Sequence, residues 1–325
     1  MRRAGVIALA FLSLTLVASG AAASPEAARP VVLVAMGSLR DSSIRALAEH
    51  FRREFHVKVI VRASVPRPAN AYNSSRKQYA GEKLVRHLER IYRNGIVIAV
   101  TDQDIYMATK PFAFVFSVRD QRAALVSAAR MNPGFYGLPP DRELLSSRLE
   151  KMVAKMIGVL AFRRPESGDP RSALYGSILG VDDLDFMTEQ FTPRPYGAEK
   201  RAWLAAADAA CNKTRADTAA LGALPVQTTG DILNVVGRAI DLEDGLLSSI
   251  NSLKPAQADA ALVAKLRSSF AQTIVADRAA LASLTAHWDP QRFKQWVTAN
   301  QAAGFGLKAT ALRLGSRQCA AYFGS

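Results

Sequence analysis

Histidine and cysteine are scarce in this sequence, and that scarcity removes most catalytic options. The 325 residues hold four His (His50, His56, His87 and His287) and two Cys (Cys211 and Cys319). No His lies between His87 and His287, and no H-E-x-x-H pattern occurs anywhere. Two Cys allow one intramolecular pairing, and no nucleophile signature surrounds either of them. There is no G-x-S-x-G elbow, no P-loop and no G-x-G-x-x-G, so the common hydrolase and nucleotide patterns are excluded. No Lys/Arg block or aromatic-interleaved basic stripe is present, which argues against nucleic acid as a partner. Beyond the first residues, no apolar run is long enough to span a membrane.

What is present begins with a targeting signal. Met1-Arg2-Arg3 is basic, Val6 to Val17 is almost wholly apolar, and Ala21 and Ala23 are small. This layout predicts a signal peptide over 1–23, cleaved after Ala23, and a periplasmic or secreted protein with no later transmembrane segment. An exported protein with two Cys is expected to bridge them. The formal charge is +14 overall. The excess is spread along the chain, so it reads as a solvated basic surface with weak attraction to anionic envelope components.

Two regions differ in pattern. Pro30 to Gly37, Val57 to Val61 and Ile96 to Val100 read as strands, separated by helices over Ser42 to Phe55 and Gln78 to Tyr92. Phe112 to Phe116 and Ala124 to Ser127 suggest two more strands, and Leu144 to Leu160 a long apolar helix. This alternation predicts an α/β domain over 24–192. Asp182 is placed to cap a helix starting near Val181, with Asp185 in its first turn. Residues 193–197 (Pro-Arg-Pro-Tyr-Gly) read as a linker. The Ala-rich remainder, 198–325, predicts four helices at about 198–221, 229–252, 256–286 and 289–322, hence an all-α four-helix bundle. A Cys211–Cys319 bridge would close a loop of roughly a hundred residues and contribute a few kcal/mol.

Several stretches carry a family likeness. They are Leu33-Val34-Ala35-Met36-Gly37, Pro66 to Tyr79 (PRPANAYNSSRKQY), Ile98 to Tyr106, and Phe114-Val115-Phe116 followed by Val126 to Arg130. In order and spacing, residues 30–190 resemble the archaemetzincin group of metzincin-like zinc peptidases. That resemblance implies a mixed sheet with helices and a zinc helix of the form H-E-x-x-H-x-x-G-x-x-H. The stretch at that place is Lys151 to Ala161 (KMVAKMIGVLA). With Gly158 on the motif glycine, Lys151 and Lys155 stand where the first two zinc ligands would be. Met152 stands for the catalytic Glu and Ala161 for the third ligand. Leu174, in Ser172 to Tyr175, corresponds to the Met beneath the metal. The family's paired Cys are missing. The C-terminal half, with Ala311 to Cys319 at its end, resembles exported bacterial helical-bundle domains with one disulfide.

The chemistry of these substitutions is adverse to zinc. A catalytic zinc needs about three N, O or S ligands and a water. A protonated Lys has no lone pair to give, and without Glu at position 152 no base stands beside the water. His50, His56 and His87, the other imidazoles of the domain, sit on or next to outer helices. No metal or cofactor is therefore expected, and the balance is against an enzyme. Arg148, Lys151 and Lys155 form a basic stripe, read either as an anion-binding cleft or as ion pairs with acids such as Asp182 to Asp185. Asp102 and Asp104 read as an acid–base pair or as turn and cap residues. Three functions follow: a pseudopeptidase module binding a peptide, protein or anionic envelope component; an envelope structural or assembly protein working through its bundle; or a divergent zinc-dependent protease with an unrecognised site.

Overall fold

The structure is a computed structural model and describes residues 29–324. The signal-peptide reading over 1–23 lies outside the described residues. The elements run β1 (Val31–Met36), α1 (Asp41–Phe55), β2 (Val59–Val61), β3 (Tyr72–Asn73), β4 (Gln78–Ala80), α2 (Gly81–Ile91), β5 (Ile96–Thr101), β6 (Ile105–Tyr106), β7 (Ser117–Arg119), β8 (Ala123–Ser127), α3 (Arg142–Leu160) and α4 (Val181–Phe186). Then follow α5 (Ala198–Gly222), α6 (Thr229–Ser252), α7 (Ala260–Ala286), α8 (Pro290–Leu314) and α9 (Arg317–Phe323).

A five-stranded sheet has the order β2-β1-β5-β8-β7. Four strands are parallel, and β7 runs antiparallel to β8 at the edge. The central strand β5 is buried at all six residues, which explains its unbroken apolar run. A small second sheet has the order β3-β4-β6. The apolar face of α1, with Ile44, Leu47 and Phe51, packs with α3 on one side of the large sheet. The α2 face, with Leu84 and Leu88, covers the other side. The expected α/β layer is therefore present, as a mixed sheet with helices on both faces.

Four expectations need correction. Phe112 to Phe116 is not a strand; the edge strand is Ser117–Arg119, too short and too charged to show an apolar pattern. The helix expected from Gln78 starts at Gly81, because Gln78–Ala80 pairs with β3 and β6. Asp182 does not cap α4. The Asp183 carboxylate accepts from the Leu179 and Gly180 N–H groups at 2.7 and 3.1 Å, while Asp182 pairs with Lys308 at 2.7 Å. The last long helix breaks at Gly315, whose φ of +97° suits a left-handed helix end, and resumes as α9.

The bundle buries Trp203, Phe270, Leu307 and Phe323 among others. Cys211 on α5 and Cys319 on α9 are joined by a disulfide with Cα atoms 5.0 Å apart. Phe186 and Tyr196, from α4 and the stretch before α5, pack on the bundle core. Glu143, in the first turn of α3, receives Lys265 of α7 at 2.8 Å and Arg313 of α8 at 2.9 Å. No helix among the described residues is long and apolar enough to cross a membrane.

Candidate functional site

The helix α3 is capped by Asp141, whose side chain accepts from the Leu144 N–H at 2.9 Å. Buried residues then crowd every face from Arg148 to Leu160. The three basic residues of the expected stripe are buried too, at 0%, 6% and 6% exposure for Arg148, Lys151 and Lys155. Arg148 grips Asp185 with two bonds of 2.8 and 2.6 Å and donates a third to the Met131 carbonyl at 2.7 Å. Burial raises the Asp185 carboxyl and the Arg148 guanidinium opposes that rise. Lys151 donates to the Leu184 and Asp185 carbonyls at 2.8 and 3.3 Å. Burial pushes its ammonium down to about 8. Lys155 donates to the Tyr175 carbonyl at 2.5 Å and lies 3.4 Å from Glu166. Burial lowers its pKa as well, against the pull of Glu166.

The stripe is thus divided. Arg148 and Lys151 tie α3 to α4, Lys151 also lining a smaller cavity beside His50, and Lys155 reaches a larger open cleft on the other side. That cleft, about 810 Å³, lies between the edge strand β7, residues 112–116, the α3 side chains Met152, Lys155 and Met156, and residues 176–179. Arg119 and Lys155 meet over Glu166, with Arg119 at 3.6 Å. Phe112 and Leu179 stand exposed on its rim. Gly158 lies deeper. A Cβ there would sit 2.6 Å from Leu174 and 2.8 Å from Phe191, so only glycine lets these side chains close on α3. The turn carrying Leu174 is fixed by Ser172, whose Oγ donates to the Phe191 carbonyl at 2.6 Å and accepts from the Leu174 N–H at 3.0 Å. Ala161 points into the core at 4% exposure.

Asp102 and Asp104 do not form an acid–base pair. Arg130 holds Asp104 through bonds of 2.8 to 3.0 Å, with Gln78 donating at 2.8 Å. Ser38 donates to Asp102 at 2.6 Å, and Arg67 lies 3.6 Å away. Burial works against ionisation of Asp102, but these hydrogen bonds and Arg67 outweigh it and lower its pKa. Both carboxylates are structural anchors rather than turn or cap residues. His50 and His87 also lie apart, because α1 and α2 cover opposite faces of the sheet.

Sequence reasoning missed one cluster. His50 of α1, Glu150 of α3 and Glu189 of the stretch after α4 bring one donor atom each within 4.8 Å of one another. His50 Nε2 and Glu189 Oε2 are 2.6 Å apart. Burial, and next the Glu189 charge, raise the Glu150 carboxyl. No local spacing could reveal three residues so far apart in sequence.

No protein-family model matches the chain. Individual relatives do. The archaemetzincin of Methanocaldococcus jannaschii is 32% identical over 152 residues, covering 46% of this chain and 83% of that protein. The chain belongs to the archaemetzincin family. The archaemetzincin of Pyrococcus furiosus is 31% identical over 171 residues, covering 48% of this chain and 86% of its own length. Among solved structures, a zinc-dependent peptidase from Methanocorpusculum labreanum covers 50% of this chain and 95% of its own, at 22% identity and a TM-score of 0.46. The archaemetzincin of Methanopyrus kandleri covers 53% and 93%, at 25% identity and a TM-score of 0.44. These relatives match about half of the chain.

The family implies a zinc, and the cleft residues do not fit one. The cleft lining offers one carboxylate, Glu166, and no imidazole or thiolate. That carboxylate is shared by two cations. Met152 and Met156 add only weakly accepting thioethers. A catalytic zinc needs about three protein ligands, and Lys155 brings a repelling charge to the same place.

Proposed function

We propose that this archaemetzincin-family chain is an exported bacterial pseudopeptidase, whose metal-free cleft binds an extended peptide or protein segment without cleaving it. The observation that carries the reading is an open cleft beside a sheet edge unpaired among the described residues, whose one carboxylate, Glu166, is already shared by Arg119 and Lys155. Strand β7 bonds to β8 on one side only. The Ser127 N–H bonds to the Phe116 carbonyl and the Asp120 N–H to the Ala123 carbonyl, both facing β8. By alternation, the backbone groups of Ser117 and Arg119 face away from β8, where a bound strand would add. Phe112 and Leu179 would cover apolar side chains, and the Arg119, Lys155 and Glu166 group would orient polar ones. Export rests on the 1–23 signal and agrees with the Cys211–Cys319 bridge.

The test is titration of fluorescently labelled unstructured peptides into the full chain, with and without chelator. Saturable binding, unchanged by chelator and without hydrolysis, is expected. Ser117→Pro, which removes an outward N–H while leaving the β8 ladder intact, should weaken binding about tenfold, the equivalent of one backbone hydrogen bond. Hydrolysis abolished by chelator would overturn the proposal in favour of a divergent zinc-dependent protease. Absence of binding would leave the bundle as the working part, in an assembly role.

A further inference from the structure

We propose that His50, Glu150 and Glu189 form a binding site for one first-row divalent cation, outside the cleft and at the seam between the α/β layer and the bundle. The inference does not rest on the peptide-binding reading. Three elements that are distant in sequence, α1, α3 and the stretch after α4, each aim one donor into the same small volume, with all donor atoms within 4.8 Å of one another. Ligands at the usual ~2.1 Å from a tetrahedral ion stand about 3.4 Å apart. The cluster therefore reaches that spacing by rotations that move side-chain ends by about 1 Å. At present, His50 Nε2 and Glu189 Oε2 are joined at 2.6 Å by a hydrogen bond. A cation would take the place of that proton and separate the two atoms.

The donor set points to the class of ion. Two carboxylates balance a 2+ charge. The imidazole selects zinc, or another metal of that borderline kind, over magnesium and calcium, which prefer oxygen alone. All three side chains are partly buried, and Ser146 Oγ holds the Glu150 carboxylate at 3.4 Å. His50 and Glu189 open on a cavity of about 650 Å³ that also has Leu262 and Arg313 of the bundle in its wall, with room for a water as fourth ligand. The two cations of this cavity are engaged elsewhere. Lys151 donates to the Leu184 carbonyl at 2.8 Å, and Arg313 pairs with Glu143 at 2.9 Å. Neither occupies the carboxylates. An ion here would pin α1, α3 and the chain leading into the bundle to one point.

The test uses the full chain, stripped with chelator, dialysed and titrated with Zn²⁺ alone by calorimetry. One zinc per chain is expected, with no comparable heat from Mg²⁺ or Ca²⁺. His50→Ala and Glu189→Gln should each weaken binding by about 100-fold, since loss of a direct ligand costs at least as much as loss of its supporting partner. Glu166→Gln, in the cleft, should leave zinc affinity unchanged. Zinc should also raise the unfolding midpoint of the wild type, but not of His50→Ala. If the variants fail to fold, the wild type decides: a zinc-induced shift of the His50 ring resonances sustains the site, and unmoved His50 resonances overturn it. Wild-type protein without stoichiometric zinc, or zinc lost in Glu166→Gln and kept in His50→Ala, would also overturn it. Peptide binding unaffected by zinc would leave the cleft proposal standing whichever way this test falls.

Discussion

The two helices at the centre of each half differ in how they meet their surroundings. Of the 19 residues of α3, 12 are buried, including one Arg and two Lys. Of the 27 residues of α7, six are buried, at spacings of three, four, four, three and seven. Helix α7 presents a single buried stripe, five apolar residues and Asp277, the geometry expected of a bundle member. Helix α3 is walled in on its charged face as well, by α4 and the turn at Ser172 to Tyr175. A basic stripe in sequence therefore means opposite things in two contexts. On an amphipathic surface helix such a stripe marks solvent, whereas on α3 it marks buried polar joints of the core.

Breaking the joints of α3 should have the largest effect. Arg148→Met leaves Asp185 buried and unpaired, which should cost about 3–5 kcal/mol in denaturant unfolding. The double variant Arg148→Met/Asp185→Leu should recover most of that loss. If the single variant is as stable as the wild type, the pair is not the joint described. Next comes the bundle. Cys211→Ser/Cys319→Ser opens a bridge spanning 108 residues and should cost about 2–5 kcal/mol. Cleft peptide binding should be unaffected, and a native thiol count of two in the wild type would refute the bridge.

A third prediction concerns pH. Burial, and next the Asp277 and Asp244 charges, push Glu243 of α6 up to about 7. The folded bundle thus holds a proton that the unfolded chain releases near its usual value of about 4.3. This contribution to stability is full below that value and is lost as pH rises to about 7, on the order of 3 kcal/mol. Glu243→Gln should flatten the thermal-stability profile between pH 4 and 7. An unchanged slope would show that Glu243 is not the group responsible. The smallest effect is expected from Gly158→Ala, at about 1–3 kcal/mol of overpacking against Leu174 and Phe191. Leu174→Ala in the same chain should restore part of it.

Legibility in sequence follows the same contrast. Strands β1, β5 and β8 and helix α1 were readable because each keeps an apolar run or one apolar face. The bundle helices were readable from period and from breaks such as Pro290, which opens α8. Strand β7 was not, because three residues at an edge, one of them charged, carry no pattern. Phe112 to Phe116 misled for the converse reason, being apolar residues that line a cleft rather than a sheet. The candidate cleft was half legible. Lys151, Met152 and Lys155, with Gly158 kept at its place, could be read directly from the sequence, and the structure adds where each side chain goes. Which Lys faces the cleft could not be read, since Lys151 and Lys155 share a helical face and are parted only by the tertiary neighbours Asp185 and Glu166. The His50, Glu150 and Glu189 cluster left no trace in local spacing at all.

The placement of Glu143 has a consequence for the molecule as a jointed object. Its carboxylate lies in the first turn of α3, where the helix end favours negative charge. It also collects Lys265 and Arg313 from two bundle helices, with Asp182–Lys308 as a second such contact. Lys265, the largest cause, and Arg313 hold its pKa low, so the contact persists well into acid. All of these groups are partly or fully open to water, where dissolved ions shorten the reach of charge to about 3 Å at 1 M salt. Neither hydrophobic core feels that change. Ionic strength should therefore weaken only the charged part of the joint, leaving the packing of Phe186 and Tyr196 on the bundle core, and each half's own fold, in place.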